Sequence, residues 1–239
     1  KTPARIYGIS QSPGGVWGAV CAGKPAGMML TYVRKNANIC VRKNAFGGCM
    51  RSNTYDRMEN VYSKFKGYIG TKELLGEGFT NRQIAFMAKE GYLEKVCHGY
   101  YWLVGKNEDK PSDYKCIEVC LSDPRAVICM NSALYYQGVI KVEPEYLSVA
   151  TVRTDRSLLS MNFPITRHYF SVSNYSVGIR KKETQYGCYN IYDIERSICD
   201  LLRLESDIAV EITNNVKNDE EQYRRLLKYA ELFQMRQKL

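Results

Sequence analysis

The chain has 239 residues, of which 45% are hydrophobic and 25% charged, and these are ordinary values for a globular protein. It contains no run of about 18 apolar residues, which argues against a membrane-spanning helix, and we expect no membrane partner. Its nine cysteines are irregularly spaced and include no Cys-x-x-Cys pair. They therefore indicate reduced intracellular thiols rather than a disulfide framework.

The net charge of +9 is concentrated at the N-terminal end of the chain. Residues 1–66 hold eleven of the 34 Lys and Arg but only two of the 25 Asp and Glu, so the remainder is neutral. A basic chain suggests a polyanionic partner, although charge alone is weak support here. Residues 1–50 have no acid and several glycines. We predict a poorly ordered basic tail over 1–52; the alternative is an arm that contacts phosphates.

A first helix is predicted near residues 58–65. One apolar face recurs there at i, i+3, i+4 and i+7, and Gly67 ends the helix. The face consists of Met58, Val61, Tyr62 and Phe65.

A second, short helix is predicted over 72–77, after an extended segment at 68–70. Thr71 is its expected N-cap, and Gly78 stops it.

A third helix and a hairpin complete this region. The helix begins with Thr80 or Asn81 as N-cap and ends before Gly91. Two aromatic and β-branched runs at 92–96 and 100–104 then flank a short glycine-containing turn. The predicted elements therefore follow the order of a winged helix-turn-helix, which is helix, short helix, turn, helix and hairpin. We therefore predict such a DNA-binding domain over 53–105.

The rest of the chain, 112–239, is predicted to form a mixed α/β domain, so the fold class is α+β with an N-terminal winged helix-turn-helix. Helices and strands alternate there without a repeat. The predicted helices cover 113–121, 131–137, 192–204 and 220–237, with Ser112 and Asn131 as caps for the first two; the predicted strands cover 126–129, 145–152, 167–172 and 176–181.

The third helix carries the predicted DNA contacts. With Ile84 at the centre of the buried face, Arg82, Phe86 and Lys89 point outward. Arg suits guanine, Gln suits adenine, and Phe suits a thymine methyl. An alternative is a solvated face with Phe86 packed on the hairpin. The full predicted set is Lys72, Thr80, Asn81, Arg82, Gln83, Phe86, Lys89, Lys95, His98 and Tyr100, of which Thr80 and Asn81 suit a phosphate and the last three a neighbouring phosphate or the minor groove.

Several motifs resemble those of the AbiE-type abortive-infection antitoxins, and together they cover about residues 55–236. They are Gly67-Tyr-Ile-Gly-Thr-Lys-Glu-Leu-Leu, Arg82-Gln-Ile, Lys89-Glu-Gly-Tyr-Leu-Glu, His98-Gly-Tyr-Tyr, Asn131-Ser-Ala-Leu-Tyr-Tyr-Gln-Gly, Tyr192-Asp-Ile-Glu-Arg-Ser-Ile-Cys-Asp-Leu-Leu-Arg and Leu227-Lys-Tyr-Ala. The resemblance implies a bacterial, cytoplasmic repressor that binds inverted repeats in its own promoter. It also implies that domain 112–239 counteracts a nucleotidyltransferase toxin encoded alongside, without a stable complex.

Three residues of the second domain are candidates for the antitoxin role: Arg196, Asp200 and Arg203. Arg196 and Asp200 are four residues apart on one helix face, a spacing that usually serves the helix itself. They are therefore interpreted as locking this helix against the sheet, or as part of an antitoxic surface in the context of the family.

We do not expect an enzyme or a cofactor. Asp193, Glu195 and Asp200 allow a metal-dependent nuclease as an alternative, but catalytic carboxylates usually converge from several elements. A zinc site from Cys97, His98, Cys116 and Cys120 lacks the usual paired spacing, so buried thiols are favoured. The sequence shows no P-loop, serine-nucleophile motif or paired aspartates of a nucleotidyltransferase. A winged helix that docks proteins remains a further alternative.

Overall fold

The computed structural model describes residues 31–34, 40–43, 49–50, 52–104 and 109–239. Three short strands, β1 (Thr31–Arg34), β2 (Cys40–Lys43) and β3 (Cys49–Met50), pair in sequence order as an antiparallel sheet. The sequence did not predict these strands. The rest of the predicted tail over 1–52 falls almost wholly outside the described residues, as does most of the connection between the two predicted domains.

From residue 52 to residue 104, helices and strands follow one another in the predicted order. They are α1 (Ser52–Lys64), β4 (Tyr68–Gly70), α2 (Thr71–Gly76), α3 (Asn81–Lys89), β5 (Leu93–Cys97) and β6 (Tyr100–Leu103). The three strands form an antiparallel sheet in the order β4-β6-β5. We call this part the N-terminal unit.

The core of the N-terminal unit is the apolar face that the sequence predicted. Met58 and Val61 of α1 pack against Leu74 of α2 and against Ile84 and Met87 of α3, and all five are at most 2% exposed. Burial of such side chains contributes about 1.5–3 kcal/mol each. The packing therefore holds the three helices in one arrangement.

Gly67 ends α1 in a conformation that a side chain would not tolerate. Its φ of +82° lies in the left-handed region, and a Cβ atom there would come within 2.6 Å of Tyr186 and 2.8 Å of Trp102. Gly91 has a φ of +77° just after the C-cap of α3, as the sequence predicted.

The part of the chain from residue 109 to residue 239 is a mixed α+β structure, as predicted, and we call it the C-terminal unit. Its elements are α4 (Tyr114–Ser122), β7 (Val127–Ile128), α5 (Met130–Tyr136), β8 (Leu147–Val152), β9 (Ile165–Phe170), α6 (Val172–Tyr175), β10 (Ile179–Thr184), β11 (Gly187–Tyr192), α7 (Ile194–Arg203), α8 (Asp207–Val216), α9 (Glu220–Leu232) and a 3₁₀ turn (Arg236–Lys238).

The five strands of the C-terminal unit form one mixed sheet in the order β10-β11-β7-β8-β9. The pairs β11–β7 and β8–β9 are parallel, whereas β10–β11 and β7–β8 are antiparallel. Helix α4 covers one face, where Ile117 packs with Ile128 and Ile191. Helices α7, α8 and α9 cover the other, where Val127 and Tyr192 are buried. Successive strand residues point to opposite faces, so both faces are apolar.

Several predicted boundaries were wrong, and three elements of the C-terminal unit were not predicted. They are helix α6, strand β11 and helix α8. Helix α9 ends at Leu232 rather than Gln237, and α7 begins only after Asp193, because Tyr192 lies in β11. The predicted N-caps Thr71, Ser112 and Asn131 are replaced by Gly70, Asp113 and Cys129. Within the described ranges, no helix is both long and apolar enough to span a bilayer.

Candidate nucleic-acid interface

The outward face of α3 consists of the residues that the sequence placed there. Ile84 and Met87 are buried, whereas Arg82 and Lys89 are exposed and Phe86 keeps 36% of its surface in contact with solvent. Asn81 is exposed at the start of the helix. Two cationic side chains and an aromatic ring therefore share one solvent-facing stripe of this helix.

The N-terminus of α3 is closed by a capping box between Thr80 and Gln83. The backbone N–H of Gln83 donates to Thr80 Oγ1 at 3.3 Å, and the backbone N–H of Thr80 donates to Gln83 Oε1 at 2.9 Å. Two of the predicted DNA-contacting residues, Thr80 and Gln83, are thus engaged in the cap, and Gln83 is only partly exposed. The amide oxygen of Gln83 already accepts a hydrogen bond in this cap, and contact of Gln83 with adenine stays a prediction.

A groove of about 530 Å³ collects four more of the predicted residues beside the hairpin turn. Lys72 from α2, Lys95 from β5, and His98 and Tyr100 at the turn all line it. Glu73 lines it as well, so the groove also contains a carboxylate. Glu73 was not among the site residues predicted from the sequence, although it directly follows Lys72 on the same short helix.

The hairpin turn is tied to the start of α2 by Thr71. Its N–H donates to the carbonyl of Gly99 at 2.7 Å, and its hydroxyl donates to the same oxygen at 3.1 Å. Gly99 has a φ of +81°, which a side chain would disfavour. These contacts keep Lys72 and His98 on neighbouring parts of the groove.

The other side of the hairpin packs on the C-terminal unit. Trp102 is 3% exposed and lies between the rings of Tyr68 and Tyr186, at centroid distances of 4.9 Å and 5.7 Å. The side-chain amide of Asn162 also donates to the Lys95 carbonyl at 2.9 Å. The hairpin is therefore positioned by both units.

Two of the three candidate antitoxin residues are buried. Arg196 is 0% exposed and Asp200 2% exposed, and the Arg196 Nε donates to Asp200 Oδ2 at 2.8 Å. The Arg196 guanidinium also donates to the carbonyl of Asn174 at 2.7 Å and lies 4.2 Å from the ring centre of Phe233. The structure therefore gives the pair a packing role and removes it from any contact surface. Arg203 is exposed.

The acidic side chains around α7 are not gathered into one site. Asp193 caps α7 and accepts a 2.6 Å hydrogen bond from the Tyr229 hydroxyl, while Glu195 pairs with Arg225 at 3.0 Å. Among the described residues, no group of three His, Cys, Asp or Glu side chains is arranged to hold a metal ion. Cys97, Cys116 and Cys120 are buried thiols, and burial raises the pKa of each.

Comparison with known proteins finds similarity at the level of structure. No protein-family model matches the chain. No curated protein matches it either. Among solved structures, the chain is similar to the RV2827C protein from Mycobacterium tuberculosis, with a TM-score of 0.54 over 74% of this chain and 71% of that one. The sequence identity is 10%, so the similarity concerns the fold.

Proposed function

We propose that the chain is a DNA-binding transcriptional regulator, in which residues 53–105 form a winged helix-turn-helix and α3 is the recognition helix. The observation that carries the proposal is the exposed stripe of Arg82, Phe86 and Lys89 on α3. The opposite face of this helix buries Ile84 and Met87. A recognition helix needs this division, because one face must hold the fold while the other enters the major groove.

The geometry between α2 and α3 supports this assignment. Gly78 has a φ of +83° and Phe79 is 2% exposed, so a tight turn with a buried anchor separates the two helices. The capping box at Thr80 then fixes where α3 starts. The hairpin β5–β6 follows in the place where a winged helix carries its wing.

The spacing of the exposed residues on α3 suits the reading of a short DNA segment. Arg82 and Lys89 are seven residues apart, or about 10 Å along the helix axis, which corresponds to about three base pairs. The Arg82 guanidinium suits O6 and N7 of guanine, and Phe86 suits a thymine methyl group. Lys89 and Asn81 suit phosphate oxygens. Sequence preference is therefore assigned to Arg82 and Phe86.

The groove beside the hairpin supplies contacts that do not depend on sequence. Lys72, Lys95 and His98 line it together with the Tyr100 ring, and such side chains bind backbone phosphates. Glu73 opposes this attraction from within the same groove. Two copies of the unit on an inverted repeat would place two recognition helices about 34–36 Å apart.

The resemblance to AbiE-type antitoxins extends the proposal beyond DNA. In this interpretation the protein represses its own promoter in a bacterial cytoplasm. Its C-terminal unit counteracts a nucleotidyltransferase toxin encoded alongside, without forming a stable complex. Of the three candidate antitoxin residues, Arg203 is the exposed one and is therefore the one to test. The test is growth of cells that express the toxin together with the parent or with Arg203→Ala.

The DNA-binding proposal is tested by replacing Arg82. Arg82→Ala should weaken binding to the specific site by about 1–3 kcal/mol and relax sequence preference at one position. Arg224→Ala is the matched control, because Arg224 is 65% exposed on α9 and its loss changes the net charge by the same amount. Unchanged specific binding by Arg82→Ala would refute the recognition-helix assignment. Absence of DNA binding by the parent at physiological salt, with a stable protein partner, would favour a protein-docking module instead.

A further inference from the structure

A second pocket lies in the C-terminal unit, away from the residues assigned to DNA. It has a volume of about 260 Å³ and lies where β7 begins and β8 ends. Its apolar wall includes Val127, Val152 and Ile179. Its polar residues include Asp123, Thr151 and Asn190. An apolar cavity with a few convergent polar groups is the usual form of a small-molecule site.

Two buried polar atoms at this pocket have no hydrogen-bond partner. Asp123 is 7% exposed and Thr151 3% exposed, yet Oδ2 of Asp123 and Oγ1 of Thr151 are unpaired among the described residues. Nearly all buried polar atoms in folded proteins are paired, and leaving one unpaired costs about 1–3 kcal/mol. Two such atoms on one cavity therefore point to a ligand.

The local structure holds these groups ready to accept hydrogen bonds. Asp123 Oδ1 accepts a hydrogen bond from the backbone N–H of Arg125 at 3.0 Å. This contact fixes the carboxylate and leaves Oδ2 available as an acceptor. The Asn190 amide donates to the carbonyls of Pro124 and Ala126 at 3.0 Å and 3.2 Å, so its oxygen remains as an acceptor. A matching ligand must therefore donate.

The charges at the pocket indicate the sign of the ligand. Asp123, Asp155 and Arg125 line it, so the lining has one more negative than positive charge. Arg125 is 70% exposed and pairs with Asp155 Oδ2 at 2.9 Å and with Asp123 Oδ1 at 3.5 Å. Oδ2 of Asp123 stays without a hydrogen-bond partner among the described residues. A single positive charge inside the pocket would balance the net negative charge of these three residues. Amidinium and guanidinium groups pair with carboxylates through two parallel N–H donors.

We propose that this pocket binds a small monocation, with an amidinium or guanidinium group on a compact apolar body. The cationic group donates to Asp123 Oδ2 and Thr151 Oγ1. The apolar body contacts Val127, Val152 and Ile179.

Benzamidine is the probe, and its uncharged isostere benzamide is the matched control ligand. By calorimetry and by NMR of the parent protein, benzamidine should bind about tenfold more tightly than benzamide or better. Asp123→Asn keeps the shape and should lose about tenfold in benzamidine affinity. Thr151→Val should lose a smaller factor, of about threefold. Asp207→Asn, at an exposed carboxylate on α8, should leave affinity unchanged.

Four results would overturn the proposal. The first is no benzamidine binding by the parent up to about 10 mM, a very weak affinity. The second is equal affinity for benzamidine and benzamide. The third is full benzamidine affinity in Asp123→Asn or, if that variant does not fold, in Thr151→Val. A crystal structure from a benzamidine soak that places only ordered water on Asp123 Oδ2 and Thr151 Oγ1 would also contradict it.

Discussion

The hydroxyl of Tyr68 donates a 3.2 Å hydrogen bond to Oε1 of Glu118 and so joins the N-terminal unit to α4 of the C-terminal unit. Glu118 is 1% exposed, and the Lys110 ammonium contacts the same carboxylate oxygen at 2.7 Å and Glu94 at 2.6 Å. Burial raises the pKa of Glu118, although Lys110 and Tyr68 act in the opposite direction. This cluster links strands β4 and β5 of the N-terminal unit to α4 of the C-terminal unit.

Tyr68→Phe should therefore destabilise the protein without disturbing its core. The variant removes one donor to a buried charged group, and the expected loss is about 1–2 kcal/mol in the free energy of unfolding. Urea denaturation measures it. Tyr169→Phe is the control, because Tyr169 is 51% exposed. Equal stability of Tyr68→Phe and the parent would show that the linkage contributes nothing.

Arg196 and Asp200 should behave as a buried pair. Arg196→Met leaves the Asp200 carboxylate buried without its partner, and the expected cost is about 3–5 kcal/mol. The double variant Arg196→Met with Asp200→Leu should recover most of that loss, because no charge is then left buried. Arg203→Ala at the exposed end of α7 should change stability by less than about 0.5 kcal/mol. Thermal and urea unfolding of the three variants test this, and a double variant as unstable as Arg196→Met would contradict it.

His168 should make stability fall in mild acid. Burial lowers the pKa of His168 below its ordinary value of 6.5. The unfolded chain therefore takes up this proton first, and stability is lost as pH falls below 6.5. Urea midpoints between about pH 7.5 and pH 5.5 measure the slope. His168→Gln should reduce the slope, whereas the exposed His98→Gln should not; the same slope in parent and His168→Gln would refute the assignment.

Opposite charges in the hairpin groove should have opposite effects on DNA affinity. Lys95→Ala should weaken binding to all sequences alike and reduce the slope of log affinity against log salt by about 0.9. Glu73→Gln should strengthen binding to all sequences, since it removes a repulsive charge. Fluorescence anisotropy with specific and shuffled DNA measures both. Lys228→Ala on α9 is the charge-matched control for the lysine. A change in sequence preference in Lys95→Ala would contradict its assignment to phosphate.

The N-terminal unit could be predicted because the sequence signals for its helices and turns are local. Four apolar positions identify the buried face of α1, and the glycines at 67, 78 and 91 identify where helices end. These signals do not depend on contacts with residues that are distant in sequence. The capping box was also present in the sequence as Thr80-x-x-Gln83, which explains why Gln83 turns back onto the backbone. The pattern therefore predicts the cap contact of Gln83, a residue that was considered above only as a contact to a base.

The C-terminal unit was harder to predict because its elements depend on packing. Helix α8 is rich in β-branched residues, which are weak helix formers, and it is held by contacts of Ala209 and Ile212 with the core. Strand β11 ends at Tyr192 and the N-cap of α7, Asp193, follows at once, so the predicted helix wrongly included the last residue of the strand. The pairing of five strands is set by contacts that are distant in sequence. Local patterns do not specify such contacts.

The most direct test of the account is binding of the purified protein to about 200 base pairs of its own upstream DNA, measured by anisotropy across a salt series with a shuffled control. We expect tight binding to the upstream DNA, with affinity about a thousandfold or more above the shuffled DNA. Equal, weak and strongly salt-dependent binding to both would contradict the role of α3 as a recognition helix.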